Sequence, residues 1–259
     1  MNIALIQMAV AAGDKTANYN KVKQLVYRAL DLHLTPDIIV LPELWSTGYA
    51  LKDLHTLASD EGEEEAAFLG ELAQKHKVWF AGGSVAAKSQ TGILNRAQII
   101  NRSGDLTASY DKVHLVPMLD EHKYLQAGNS HCVHEIEGVS FGFAICYDIR
   151  FCEFLRKLAL GGAQALIVAA EWPLIRLSHW QALLKARAIE NQYYVLAANN
   201  VAFGEAPFAG HSVAHGPDGS TLAQFDFSED VKVVNINRDT VNTIRANVPV
   251  FNDRRPELY

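Results

Sequence analysis

Short apolar runs and amphipathic stretches take turns along the chain. Residues 3–7 (IALIQ) are apolar and flanked by polar positions, which predicts a short buried strand. Over residues 18–32, Val22, Leu25, Val26 and Ala29 fall on one face at helical spacing. Residues 37–41 (DIIVL) are β-branched and stop at Pro42, as a central strand does. Glu61, Glu63, Glu64 and Glu65 open a helix predicted to end at His76, because carboxylates suit the partial positive charge of a helix N-terminus. Residues 78–81 predict another strand, leading into Gly82-Gly83. Two strand-like runs within residues 94–112, divided by Ser103-Gly104, predict a hairpin. Residues 139–146, 165–169, 194–198 and 231–236 are further strands, and residues 151–160 and 177–192 are helical patterns. No linker, repeat or low-complexity tract interrupts them. The expected fold is a layered α/β protein with mixed sheets, one domain over residues 1–259.

Composition removes several function classes. The chain has 259 residues, 49% of them hydrophobic, with 23 Lys plus Arg against 29 Asp plus Glu and a net charge of −6. Without a basic cluster, nucleic acid is not an expected partner. Cys132, Cys146 and Cys152 are too few, and odd in number, for a disulfide framework. No apolar run approaches a membrane span, and MNIALIQMAV lacks the positive start of a signal peptide, so the expected location is cytoplasmic, with reduced thiols.

Candidate chemistry gathers where strands end. In FGFAICYDIRF a hydrophobic strand ends at Cys146 and an amphipathic helix follows, so the helix dipole is expected to favour thiolate over thiol. The plainer reading is a packed core cysteine. Glu43 follows the strand of residues 37–41, and Lys112 follows the hairpin; each alone suits a solvated loop. Together they matter, because a thiol nucleophile needs a base, and its tetrahedral intermediate needs positive charge. Tyr49 and Trp172 are candidate pocket walls, or core. His179 and Trp180 are expected in the core. His131, Cys132 and His134 are too closely spaced, without a second cluster, for a zinc site, so no metal or cofactor is expected.

The segments PELWSTGY, YDKVHL and ICYDIRF, in that order, resemble the Glu-Lys-Cys signature of the nitrilase superfamily of carbon–nitrogen hydrolases. The resemblance extends over nearly the whole chain, including IALIQ, DEHKYLQAGN, HWQALLKARAIENQ, Gly210-His211-Ser212 and the ending PVFNDRRPELY, and is nearest to the omega-amidase branch. It implies a four-layer αββα sandwich with two mixed sheets. It also implies a metal-free amidase that removes the terminal amide nitrogen of a small carboxylate-bearing substrate such as 2-oxoglutaramate, through a cysteine thioester. Hydrolysis of an N-carbamoyl amino acid or a nitrile on the same fold is the enzymatic alternative; a non-catalytic binding protein is the other.

By that resemblance Cys146 attacks the amide carbon, Glu43 is the general base, and Lys112 with the Tyr147 backbone N–H stabilises the oxyanion. Glu121 matches the family's second glutamate and orients Lys112 or shares a proton network with Glu43. A homodimer, or a larger even assembly, is implied, with the ending crossing onto the partner. Asp111 and Cys152 stand where the family often has arginine and proline. Glu171, in AAEWP, stands where relatives tend to carry a small or neutral residue, and a carboxylate there opposes an anionic substrate unless a cation neutralises it. Arg176 is that cation, or it binds the substrate carboxylate through its planar fork. A structural Glu171–Arg176 pair is the plain alternative.

Overall fold

The computed structural model describes residues 1–202 and 207–258. Its first half contains β1 (Asn2–Gln7), α1 (Lys15–Leu30), β2 (Ile38–Val40), α2 (Leu54–Leu57), β3 (Ser59–Asp60), α3 (Glu63–His76), β4 (Trp79–Ser89), β5 (Gly92–Ile100) and β6 (Leu106–Asp111). Its second half contains β7 (Val133–Ile136), β8 (Val139–Ile145), α4 (Cys152–Leu160), β9 (Ala165–Ala170), α5 (Leu177–Asn191), β10 (Tyr194–Asn199), β11 (Val213–His215), β12 (Thr221–Gln224), β13 (Asp230–Asn235) and α6 (Arg238–Asn247).

Two sheets result. One has the order β13-β1-β2-β4-β5-β6, with β3 paired to β4; the other has the order β12-β11-β10-β9-β8-β7. The central strands β1, β2 and β4 are parallel, as are β8, β9 and β10, and antiparallel strands flank them. Alternation along β1 and β2 shows the layering. Ile3, Leu5, Ile38 and Val40 meet Phe141, Phe143 and Ile167 between the sheets. Ala4, Ile6 and Ile39 turn outward to Val22 and Val26 of α1 and Leu69 of α3. Leu155 and Leu158 of α4, with Trp180 and Leu184 of α5, cover the other sheet. Strands covered on both faces are apolar throughout, which is why they read as unbroken hydrophobic runs. The layers are therefore α, β, β, α.

Several boundaries differ from expectation, each for a local reason. Helix α1 starts at Lys15 because the Asp14 carboxylate caps it, accepting from the Ala17 backbone N–H at 2.9 Å. The strand predicted to end at Ala81 continues to Ser89 past a register shift between Ala81 and Ser84. The two glycines there mark a bulge rather than an end. The predicted hairpin is consequently two strands of a three-strand meander. Strands β7, β11 and β12 and helix α6 were not anticipated; strands of three or four residues are too short to show a period. Trp180 is buried as expected, whereas His179 is exposed, with Nδ1 3.5 Å from both terminal nitrogens of Arg150.

The parallel strands of both sheets end on one side of the molecule. Met8, just past β1, forms a parallel bridge with Asn200, just past β10, and ties the two sheets together there.

Candidate active site

Glu43 follows β2 across Leu41-Pro42, and a tight turn fixes it. Leu44 has φ 44° and its N–H donates to Ser84 Oγ, while Trp45 N–H donates to the Ser84 carbonyl. Strand β4 approaches closely enough that a Cβ on Gly83 (φ +78°) would lie 2.6 Å from Leu41 Cβ, so this position needs glycine. Lys112 follows β6, and its backbone N–H donates to the Asn95 carbonyl. Glu121 sits on a single 3₁₀ turn, Glu121–Lys123.

These three side chains meet with no solvent exposure. Lys112 Nζ donates to Glu43 Oε1 at 2.8 Å and to Glu121 Oε1 at 2.7 Å. Asn95 Nδ2 also donates to Glu43 Oε1, and the Glu171 backbone N–H donates to Glu43 Oε2, both at 2.8 Å. Glu121 accepts from the Tyr49 hydroxyl through Oε1 and from the Val116 N–H through Oε2. Burial pulls the Lys112 ammonium toward neutrality, but the charges of Glu43 and Glu121 more than offset it and hold Lys112 protonated. Burial, with Glu121 and Glu43 beside it, pushes Tyr49 well above the usual phenol range, so it stays a donor.

Cys146 sits directly after β8 at φ 47°, a left-handed conformation that L-residues seldom adopt. It opens a 3₁₀ segment, Cys146–Arg150, and α4 begins only at Cys152. Asp148 clamps this elbow. One carboxylate oxygen accepts from the Ile145 N–H at 2.8 Å and the Tyr110 hydroxyl at 2.7 Å; the other accepts from the His114 N–H at 3.1 Å and lies 2.7 Å from His114 Nδ1. From α5, Arg187 Nε donates to the Ile149 carbonyl at 2.9 Å.

The thiol corrects one expectation. Helix-dipole assistance predicted a thiolate, yet burial, then the charge of Glu43, push the Cys146 thiol well above its usual range, against the pull of Lys112. Glu43 and Glu121 carry two negative charges against one positive on Lys112, and the helix start is six residues away. The resting Cys146 side chain is a neutral thiol beside the Glu43 carboxylate.

These groups open onto a cleft with about 360 Å³ of open space. It is lined by Cys146, Tyr147, Glu171, Trp172, Arg150 and Arg176, together with Tyr49 and the apolar Val116, Met118 and Leu119. All eight residues expected at the site thus converge: Glu43, Lys112 and Glu121 behind the thiol, and Cys146, Tyr49, Tyr147, Trp172 and Arg176 along the wall. Trp172 is pinned at both ends, its N–H donating to Asn199 Oδ1 and its indole Nε1 to the Arg176 carbonyl, each at 2.8 Å.

Arg150 had not been singled out. Its guanidinium lies over Trp172 (4.6 Å) and Tyr147 (5.7 Å). Burial lowers its pKa, Tyr147 opposes that, and the nearby charge of Arg176 lowers it further. Among the described residues neither guanidinium is ion-paired, and two such cations in one cleft suit an anion.

Glu171 differs from expectation as well. Its side chain makes no pair with Arg176: Oε1 accepts from Asn200 Nδ2 at 2.7 Å, while Arg176 Nη2 faces Met118 Sδ at 3.4 Å. Burial first, then the charge of Glu43, push the Glu171 carboxyl well above its ordinary range, so it is a neutral acid. The objection to an anionic substrate disappears.

Among the described residues, no group of three or more His, Cys, Asp or Glu is placed to hold a metal. His134 Nε2 lies 3.3 Å from Thr107 Oγ1, and burial pushes the Cys132 thiol up to about 11. Among the described residues no helix is long and apolar enough to cross a membrane. The ending folds onto its own chain as far as Phe251, whose ring lies 5.1 Å from the Arg156 guanidinium and 4.8 Å from that of Arg245; Tyr259 lies outside the described residues.

Comparison with known proteins gives three concordant results. The carbon-nitrogen hydrolase family model matches residues 2–246. A 2-oxoglutaramate amidase of Bacillus subtilis (strain 168) is 39% identical over 260 residues, covering 99% of this chain and 98% of that one. A CN-hydrolase superfamily protein from Xanthomonas campestris, with an arsenic adduct in its active site, has a TM-score of 0.91 at 26% identity, covering 98% of this chain and 97% of the other. An amidase from Nesterenkonia sp. AN1, which shows covalent addition of the acetamide moiety of fluoroacetamide at its active-site cysteine, has a TM-score of 0.87 at 26% identity, covering 100% and 95%.

Proposed function

The chain belongs to the carbon–nitrogen hydrolase family, and from that premise we propose that it is an omega-amidase, releasing ammonia from the terminal amide of a small carboxylate-bearing substrate of the 2-oxoglutaramate type. The observation that carries the chemistry is Lys112 held between Glu43 and Glu121 behind the Cys146 thiol. The observation that carries the substrate class is the pair Arg150 and Arg176 in the same cleft.

Cys146 Sγ attacks the amide carbon as Glu43 takes its proton, so no free thiolate has to persist beside two carboxylates. Negative charge developing on the amide oxygen is met by Lys112 and the backbone N–H of Tyr147. Glu43 passes the proton to the departing nitrogen, the carbon–nitrogen bond breaks, and ammonia leaves a thioester on Cys146. Glu43 then takes a proton from water as its oxygen attacks the thioester carbon. Collapse returns that proton to sulfur and frees the acid. Glu121 acts through Lys112, and Tyr49 through Glu121. Trp172 forms the wall on which Arg150 rests, and Arg150 with Arg176 receives the substrate carboxylate.

Residues 1–259 are read as one catalytic domain, because Glu43 and Lys112 follow strands of one sheet and Cys146 follows a strand of the other. A cytoplasmic setting suits a thiol that must stay reduced. The expected assembly is a homodimer, and a clean monomer in sedimentation at micromolar concentration would count against it.

The test of the activity is ammonia release from 2-oxoglutaramate and succinamic acid, with intact-mass detection of an acyl adduct, by wild type and Cys146→Ala. Release and adduct are expected from wild type alone. Turnover that survives the substitution overturns the mechanism, and carbon dioxide released with the ammonia from an N-carbamoyl amino acid would redirect the reading to that class.

A further inference from the structure

Glu171 is fully buried, it lines the cleft that holds Cys146, and the reaction just described gives its side chain no role. Its backbone is fixed by donation to Glu43 Oε2. Its side chain is held on one edge only. Asn200 Oδ1 accepts from the N–H groups of Val10 (3.2 Å) and Ala202 (2.9 Å), so the other end of that amide, Nδ2, is the one facing Glu171. Nδ2 donates to Glu171 Oε1, which makes Oε1 the acceptor edge. Oε2 is buried and has no hydrogen-bond partner among the described residues. A buried polar oxygen without a partner is costly, and here it belongs to a residue of the cleft wall.

We propose that Glu171 is a specificity residue, with the proton on Oε2, donating to an uncharged oxygen, a carbonyl or hydroxyl, on the carbon chain between the scissile amide and the substrate carboxylate. The proposal rests on the omega-amidase reading. The carboxylate itself is better met by Arg150 and Arg176, which are cationic forks in the same cleft. Burial and the charge of Glu43 keep the acid neutral against Lys112, in accord with a donor. Among the described residues the other titratable or charged groups around it are Glu121 behind the wall and Tyr49, Cys146, Tyr147, Arg150 and Arg176 along the cleft. A donor of this kind separates a 2-oxo acid amide from its deoxy counterpart, because the deoxy substrate leaves Oε2–H unmatched.

The experiment compares 2-oxoglutaramate with glutaramate, which lacks only the oxo group, in wild type, Glu171→Met and Glu171→Gln, each checked by circular dichroism and thermal melting. Glu171→Met is expected to lower kcat/KM for the oxo substrate roughly 100-fold while changing glutaramate less than about threefold. Glu171→Gln, whose amide accepts from Asn200 and donates from the other end, is expected to keep the oxo preference. Wild-type KM for the oxo substrate is expected to rise at alkaline pH as Glu171 ionises, and Glu171→Gln to abolish that rise. Equal losses on both substrates in Glu171→Met, or none on either, overturn the proposal while the omega-amidase reading stands. Wild type inactive on both substrates overturns that reading, and this proposal with it.

Discussion

Two lysine–glutamate sets of the molecule differ in exposure, one reaching solvent and one sealed, and the sealed one adjoins the Cys146 thiol. In the first, Lys15 Nζ lies 2.9 Å from Glu65 and 2.6 Å from Glu64, and the two oxygens of Glu65 accept from Ser46 and Ser59. Both oxygens of Glu65 are matched, the buried Tyr19 hydroxyl beside them is not, and Lys15 reaches solvent. In the second, Lys112 is sealed between Glu43 and Glu121, and the same wall holds a thiol and a free acid oxygen on Glu171. Buried ion pairs by themselves are weak evidence of chemistry. The difference lies in what adjoins each set: the Lys15 set opens to solvent with no thiol beside it, whereas the Lys112 set lies behind a cleft that holds Cys146 and Glu171.

The sets also share a strut, since the Glu43 turn runs directly into Ser46, which donates to Glu65. The structural set thus steadies the loop that presents Glu43.

That contrast can be broken by substitution. The largest effect is expected from Lys112→Met, which leaves Glu43 and Glu121 buried without their cation. Stability should fall by about 3–5 kcal/mol in urea melts and ammonia release by roughly 10⁴-fold. Activity within tenfold of wild type would dissolve the distinction between the two sets. Next comes Glu43→Gln, which keeps shape and removes the base. Turnover is expected to drop about 10³-fold, with a lowered melting temperature, because the new amide NH2 must face a donor, either Lys112 and Asn95 or the Glu171 N–H. Arg176→Leu sharpens the substrate side: KM for a carboxylate-bearing amide should rise about 10–50-fold, and that for a neutral amide of similar length should hardly move.

Smaller still is a pH effect. Because Glu171 is raised above its ordinary 4.5, the folded chain holds a proton that the unfolded chain releases. Its contribution to stability is full below that pH and declines as pH rises toward the folded value. Glu171→Gln removes this decline, so the melting temperature of the variant relative to wild type should climb between pH 5 and pH 8. The smallest effect on activity belongs to Lys15→Met: about 1–3 kcal/mol of stability lost, with kcat within threefold of wild type.

Much of the scaffold was legible because strands covered on both faces are apolar from end to end. The ends of those runs marked Glu43 and Cys146, and the end of the hairpin marked Lys112, as residues leaving a sheet. Glu121 had no such signal, sitting on one 3₁₀ turn in a loop, and came from the family resemblance alone. Asn95 lies inside β5 and Asn200 just past β10; no spacing separates a buried asparagine that orients a carboxyl from one that caps a loop. Arg150 was hidden because it falls in the short stretch between Cys146 and the helix expected from residue 151, where no periodicity shows that a 3₁₀ elbow turns it into the cleft wall. Acidity was misread at two places for one reason. Helix position was legible, but the neutralising effect of burial on Cys146 and Glu171 depends on what surrounds them in three dimensions.

The bridge between Met8 and Asn200 has a consequence for biosynthesis. Glu43 precedes Cys146 by about a hundred residues, and Asn200, the partner that orients Glu171, comes later still. A chain emerging from the ribosome therefore carries Glu43 and Lys112 before Cys146, and Cys146 before its wall is complete. On the proposed mechanism, turnover requires docking of one sheet on the other, so a chain interrupted before Asn200 is expected to be chemically silent.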